Sequence, residues 1–222
     1  MDPLTLTGAS LNSDVDRLRL LSHNLANVTT PGYRRDVAVT RPFDAHVSAQ
    51  VDRTPGALRY SANPLDVALE GDGFFVLQSA AGPVLTRHGA LQLDSSGRLV
   101  GPDGAAVMGT SGEIVLTQSE PRIDQAGNVW DGDKQIGALR VVRAPAEATM
   151  TSLGNGLYAC DTPLQELEAP RLRQGYVEAS NVVPMREMVR LIETMRHFEA
   201  GQRLLRSHDE MLERALGVLG EP

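Results

Sequence analysis

The chain has 222 residues, 41% of them hydrophobic and 22% charged, which suits one or two folded domains with buried cores and excludes a wholly disordered polymer. Twenty-one basic against twenty-eight acidic side chains leave a formal charge of −7, which points to a protein or small-molecule partner rather than to nucleic acid or anionic lipid. Cys160 is the single cysteine, so neither an internal disulfide nor a cysteine metal cluster can form.

The first element, over residues 1–30, reads as a helix. No Gly or Pro interrupts Ala9 to Thr30, and Leu4, Leu11, Leu18 and Leu25 recur every seven residues, with Val15, Leu21 and Val28 widening the apolar face. The helix should stop near Asn27, because Thr29-Thr30-Pro31-Gly32-Tyr33 places Pro where φ is fixed and Gly where a type II turn needs φ above zero. Residues 31–64 read as an extended arm and linker punctuated by Pro42, Pro55 and Pro64.

Over 65–170 the apolar period falls to two, as in Leu65/Val67/Leu69, Leu91/Leu93 and Ile114/Leu116, with glycine turn signals between the runs. This predicts a central all-β domain of short antiparallel strands. The blocks Leu93-Asp94-Ser95-Ser96-Gly97-Arg98-Leu99 and Ile123-Asp124-Gln125-Ala126-Gly127-Asn128-Val129 echo each other, as two hairpins with one turn chemistry would. Residues 171–222 form a C-terminal helical segment. Leu191, Phe198, Leu205, Leu212 and Leu219 make a second seven-residue ladder, Met188, Ile192 and Met195 lie beside its first turns, and the helix should begin between Asn181 and Pro184.

The predicted class is α+β, long N- and C-terminal helices with a central β domain, and the seven-residue ladders are the seams that an assembly coiled coil would use. Spacing leaves two readings open, helices that close a monomeric core and helices that pack on other subunits; the seven-residue rhythm suits the second. No stretch approaches the roughly 18 apolar residues of a membrane span, and Asp2, Asp14 and Asp16 occupy the region where a secretory signal would be basic and then apolar. No membrane insertion and no cleaved signal peptide are expected.

Catalytic patterns fail one by one. His23, His46, His88, His197 and His208 include no pair at metalloprotease spacing. Gly71-Asp72-Gly73 begins like a dinucleotide fingerprint, but Val76 stands at the third glycine and strands follow. Asp131 and Asp133 lack the bidentate Glu of a calcium loop. A hydrolase built on Asp72 or Asp131 would need either carboxylate in a concave pocket beside a base, and no nucleophile, base and oxyanion donor can be named together. The chain is expected to be no enzyme and to use no cofactor or metal.

Three blocks carry a family resemblance. Ser22-His23-Asn24-Leu25-Ala26-Asn27-Val28-Thr29-Thr30-Pro31-Gly32-Tyr33-Arg34 resembles the N-terminal motif of bacterial flagellar rod and hook proteins. Asn63 to Val76, followed by Thr86-Arg87-His88-Gly89, resembles the start of that family's β domain, and Gln174-Gly175-Tyr176-Val177-Glu178-Ala179-Ser180-Asn181-Val182 with Met188 to Glu193 resembles its C-terminal motif. Thr54-Pro55-Gly56-Ala57-Leu58 and Arg196-His197-Phe198-Glu199 are closer to the proximal-rod branch, whereas Gln174 to Glu178 lean towards the distal one.

The resemblance implies a non-enzymatic rod subunit of the basal body, exported by the flagellar secretion apparatus without a cleaved signal. It would lie in the rod that crosses the periplasm, and its partners would be copies of itself and other rod subunits. Its terminal helices would polymerise to carry motor torque to the hook. The assembly interface it implies comprises Leu4, Leu11, Leu18, Asn24, Leu25, Asn27, Pro31, Gly32, Leu191, Phe198, Leu205, Leu212 and Leu219, with Pro31 and Gly32 setting the angle of the arm. A reading from another class is a monomeric binding module whose β domain takes a ligand and whose helices merely close it.

Overall fold

The computed structural model describes residues 3–40, 47–117 and 120–219, with side chains within those limits from 4 to 214. The side chain of Leu219 and all of His46 lie outside the described residues. The chain divides into two compact units, one of Met1–Ala26, Val37–Ala49 and Val183–Pro222, the other of Asn27–Asp36 and Gln50–Val182.

The first unit contains two helices, α1 (Pro3–Ala26) and α2 (Pro184–Leu219). Both open on Pro, whose missing N–H costs nothing in a first turn, and Glu187 lies in the first turn of α2, where the helix dipole favours a carboxylate. The two helices pack antiparallel. Leu11 faces Gly201, Asp14 pairs with His197 and Asn24 with Glu187, so ascending positions on α1 meet descending ones on α2.

This corrects the assembly coiled coil expected from the seven-residue ladders. Leu4, Leu11, Leu18, Leu25, Leu191, Phe198 and Leu205 are half-buried, and α1 covers α2 within one chain, so the described residues show one helix before and one after the β strands in sequence, and no coiled coil among them. A ladder encodes a face; it does not encode whose helix covers that face. Leu212 falls beyond the end of α1 in this register and is 49% exposed.

The second unit is antiparallel β. Its largest sheet runs through 150–154, 157–160, 82–86, 74–79, 106–109, 99–100 and 92–93, and a smaller sheet takes 122–123, 128–131 and 134–138. The strand Phe74–Ser79 explains the continuous run Phe74-Phe75-Val76-Leu77, because both of its faces are buried. Phe75 and Leu77 enter a core with Leu69, Leu99, Val129 and Leu172, while Phe74 and Val76 enter another with Leu85, Val142 and Tyr158. The end of the unit returns to its beginning, since 171–174 pairs with 67–70 and 176–178 with 58–60.

The sequence echo is a repeated turn. Asp94 Oδ1 accepts the N–H groups of Ser96 and Arg98 at 2.8 and 2.9 Å, and Asp124 Oδ1 accepts those of Ala126 and Asn128 at 2.9 Å each. Gly97 and Gly127 hold φ of 77° and 88°, the left-handed values that such a turn needs. The Arg98 N–H and side chain hold the Asp94 carboxyl below its ordinary range.

Candidate functional site

In the β unit, three stretches far apart in sequence meet at one buried carboxylate. The turn after α1 has Pro31 and Gly32 at its corner; Gly32 adopts φ of 67°, and the Tyr33 N–H closes on the Thr30 carbonyl at 3.3 Å. The Gly32 N–H donates to the Glu178 carbonyl at 2.7 Å, which brings the turn against the strand Tyr176–Glu178. No side chain fits at Gly32, because a Cβ there would lie 2.3 Å from the Arg87 carbonyl carbon.

The Glu178 side chain is 1% exposed and holds two arginines. Arg34 Nη1 lies 2.6 Å from Oε1, Arg87 Nε donates to Oε2 at 2.7 Å, and the Gly56 N–H adds a third donor to Oε1 at 2.7 Å. Arg34 and Arg87 are themselves 2% and 1% exposed. Arg87 spends its remaining donors on the carbonyls of Gly73 and Leu69 at 2.9 and 3.1 Å. Burial lowers the Arg87 guanidinium from its ordinary pKa, and the charge of Glu178 opposes that shift. Buried charges persist only when paired and hydrogen-bonded, and this cluster meets that condition at nearly every atom.

Around the cluster the flanks of both helices are fastened side by side. The Arg34 N–H donates to the Tyr158 hydroxyl at 2.7 Å, and burial pushes that phenol's pKa up. Asn181 Oδ1 accepts the Arg35 N–H at 2.7 Å, its own N–H donates to the Tyr33 carbonyl at 3.3 Å, and its Nδ2 donates to the Asp52 and Thr54 carbonyls. Residues 33–35 directly follow the turn after α1, and Asn181 lies three residues before α2. Nearby His88 is buried, which lowers its imidazole pKa, although Asp66 and Asp103 pull in the other direction.

The helical unit has its own polar contacts. Asn24, 1% exposed, donates through Nδ2 to Glu187 Oε2 at 3.3 Å, and Asp14 Oδ2 lies 2.5 Å from His197 Nδ1. Asn27 behaves as a helix terminator, its Oδ1 accepting from the Thr30 hydroxyl at 3.1 Å. Of the residues expected at an assembly interface, Leu4, Leu11, Leu18, Asn24, Leu25, Leu191, Phe198 and Leu205 lie in the helical unit, and Asn27, Pro31 and Gly32 lie in the β unit's turn. Missing from that set are Arg34, Arg87 and Glu178, whose only sequence signal is a charge embedded in each of the three motif blocks.

Also missing is an exposed apolar strip on α2. Met185, Met188, Val189, Ile192 and Met195 follow helical spacing on one side and are 72%, 44%, 50%, 50% and 46% exposed. The side of α2 that meets α1 carries Glu187, Leu191, Phe198 and Gly201 instead. Asp131 accepts the Thr117 N–H and hydroxyl, and Asp72 lies on an exposed turn.

Comparison with known proteins agrees with this architecture. Residues 68–131 match the family described as the flagellar hook protein FlgE/F/G D1 domain, and residues 173–218 match the flagellar basal body rod FlgEFG protein C-terminal family. The flagellar basal-body rod protein FlgF of Salmonella typhimurium is 31% identical, covering 97% of this chain and 96% of its own. That of Mesorhizobium japonicum is 28% identical over 92% of each, and the rod protein FlgG of Buchnera aphidicola is 29% identical over 95% and 97%. The chain thus belongs to the flagellar basal-body rod protein family, as a structural subunit of the rod in the flagellar basal body.

Proposed function

We propose that the chain occupies the proximal segment of the rod, where it joins copies of itself and other rod and hook subunits and passes motor torque towards the hook. Export would proceed through the flagellar secretion apparatus, delivering the subunit to a rod that crosses the periplasm. The relatives named FlgF support the proximal position. A distal position is the second reading, favoured by relatives named FlgG at comparable identity.

The observation that carries the assembly reading is the α2 strip. Over its first turns α2 is apolar on two sides, and α1 covers only one of them. A contiguous exposed apolar strip on a helix marks a surface that a protein neighbour buries. The helix pair would then be the unit that docks, with the seam leucines and Asn24 holding its shape. The Glu178 cluster would anchor the segments flanking both helices, so that a load entering through either meets buried, charge-assisted hydrogen bonds.

Replacing Met188 and Ile192 together by Asp tests this in a strain lacking its own copy. Both positions face solvent, so the isolated variant should keep its helix content and lose less than about 0.5 kcal/mol per site. Rod incorporation and swimming should be abolished. Normal rods from the doubly substituted subunit would contradict the reading.

A further inference from the structure

We propose that the β unit carries an oxyanion-binding site, a cavity of about 320 Å³ walled by Arg34, Arg53, Arg87 and Arg143 that takes a carboxylate or phosphate group. Gly73 and Phe74 supply its backbone wall, and Asp72 stands at its side. Four of the chain's twenty arginines converge here in a molecule whose formal charge is −7. Glu178 and Asp72 offset two of these charges, which leaves a local excess of two positive charges.

The four guanidiniums differ in how far they are already occupied. Arg87 is saturated by Glu178 and two carbonyls, and Arg53 is fixed by the carbonyls of Pro145 and Ala148 at 2.6 Å each. Arg34 is 2% exposed, and its Nε is buried with no hydrogen-bond partner. Arg143 is exposed, and its side chain makes no hydrogen bond or ion pair among the described residues. The site therefore has a fixed positive floor, one buried guanidinium with an unpaired Nε and one exposed guanidinium whose side chain is uncommitted.

A buried, unpaired guanidinium N–H is costly unless an acceptor reaches it. The planar fork of arginine matches the two oxygens of carboxylate and phosphate, so the uncommitted Arg143 fork, set beside the fixed positive charges of Arg34, Arg53 and Arg87, favours an oxyanion over a halide. The volume is at the small end of ligand cavities, enough for one compact anion or for the tip of an acidic side chain. Recognition would come from guanidinium side chains, with no part for a glycine-loop cradle at Gly71 to Gly73.

The same chemistry could arrive as a free anion or as a carboxylate of a neighbouring subunit, and one set of measurements separates them. Inorganic phosphate should raise the unfolding temperature of the full chain, followed by fluorescence of its single tryptophan, Trp130, more than chloride does at equal ionic strength. Arg143→Ala should fold normally and weaken the phosphate effect at least tenfold, whereas Asp72→Asn should strengthen it. If a neighbour's carboxylate is the natural occupant, phosphate should also slow subunit addition to rods; if a free anion is, addition should be unaffected. The site stands apart from the assembly reading, because the phosphate titration uses unassembled protein. Equal stabilisation by phosphate and chloride, or an undiminished phosphate effect in Arg143→Ala, would overturn it.

Discussion

Glu178→Gln should destabilise the β unit by about 3–5 kcal/mol, the usual cost of removing one partner from a buried ion pair. The substitution preserves shape and removes only charge, yet it leaves Arg34 and Arg87, 2% and 1% exposed, without their shared counter-ion. The amide can present one oxygen to one guanidinium, but its NH₂ would then point donors at the other guanidinium or at the Gly56 N–H. Urea unfolding of the full chain, read from Trp130 in the strand 128–131, reports this unit without relying on the helices. A loss under about 1 kcal/mol would mean that the cluster is solvated and contributes little. Because the same residues fasten 30–35 to 176–181, the variant should also assemble poorly at temperatures where the unit still folds.

Gly32→Ala should cost about 2–5 kcal/mol, and Gly71→Ala only about 1–2. Both glycines have positive φ, at 67° and 84°, so each alanine carries the left-handed penalty of about 1–2 kcal/mol. The surroundings separate them. A Cβ on Gly71 meets nothing within 4 Å, whereas one on Gly32 would sit 2.4 Å from both the Arg87 carbonyl oxygen and the His88 nitrogen. Those are backbone atoms that cannot swing aside, so an overpacking cost of about 1–3 kcal/mol is added and the Gly32–Glu178 hydrogen bond lengthens. Parallel denaturation of the two variants checks the difference. Equal losses would show that conformation alone, with no packing against Arg87, explains the glycine.

What the sequence made legible is mostly local. The end of α1 near Asn27, the Pro31-Gly32 corner and the paired Asp94/Gly97 and Asp124/Gly127 turns each depend on chemistry within five residues, so they could be read without a fold. The start of α2 at Pro184 is of the same kind. The Arg87–Glu178 pair spans 91 residues, and nothing near either side chain announces that it will be buried. Their burial follows from 176–178 pairing with 58–60 while the turn at Gly32 closes on the same strand. The seams show the converse problem. Leu11, Leu18, Leu191 and Phe198 read as apolar faces, but an antiparallel partner from the same chain and a parallel one from another demand the same spacing. Their polar contacts, Asn24 with Glu187 and Asp14 with His197, mark the intrachain pairing. Met188 and Ile192 were visible only as residues beside a ladder, since exposure on the second side of α2 depends on where α1 lies.

In the proposed assembly a neighbouring subunit in the rod buries the outward strip of α2. The most direct measurement is the rate at which a soluble maleimide alkylates an Ile192→Cys subunit, with Cys160→Ser in the background, in purified basal bodies and as free protein. Ile192 is 50% exposed in the single chain, so the free subunit should react quickly and the assembled one at least tenfold more slowly. Equal rates in the two states would mean that this face stays open to solvent in the finished rod, and the assembly surface would have to be sought elsewhere on the molecule.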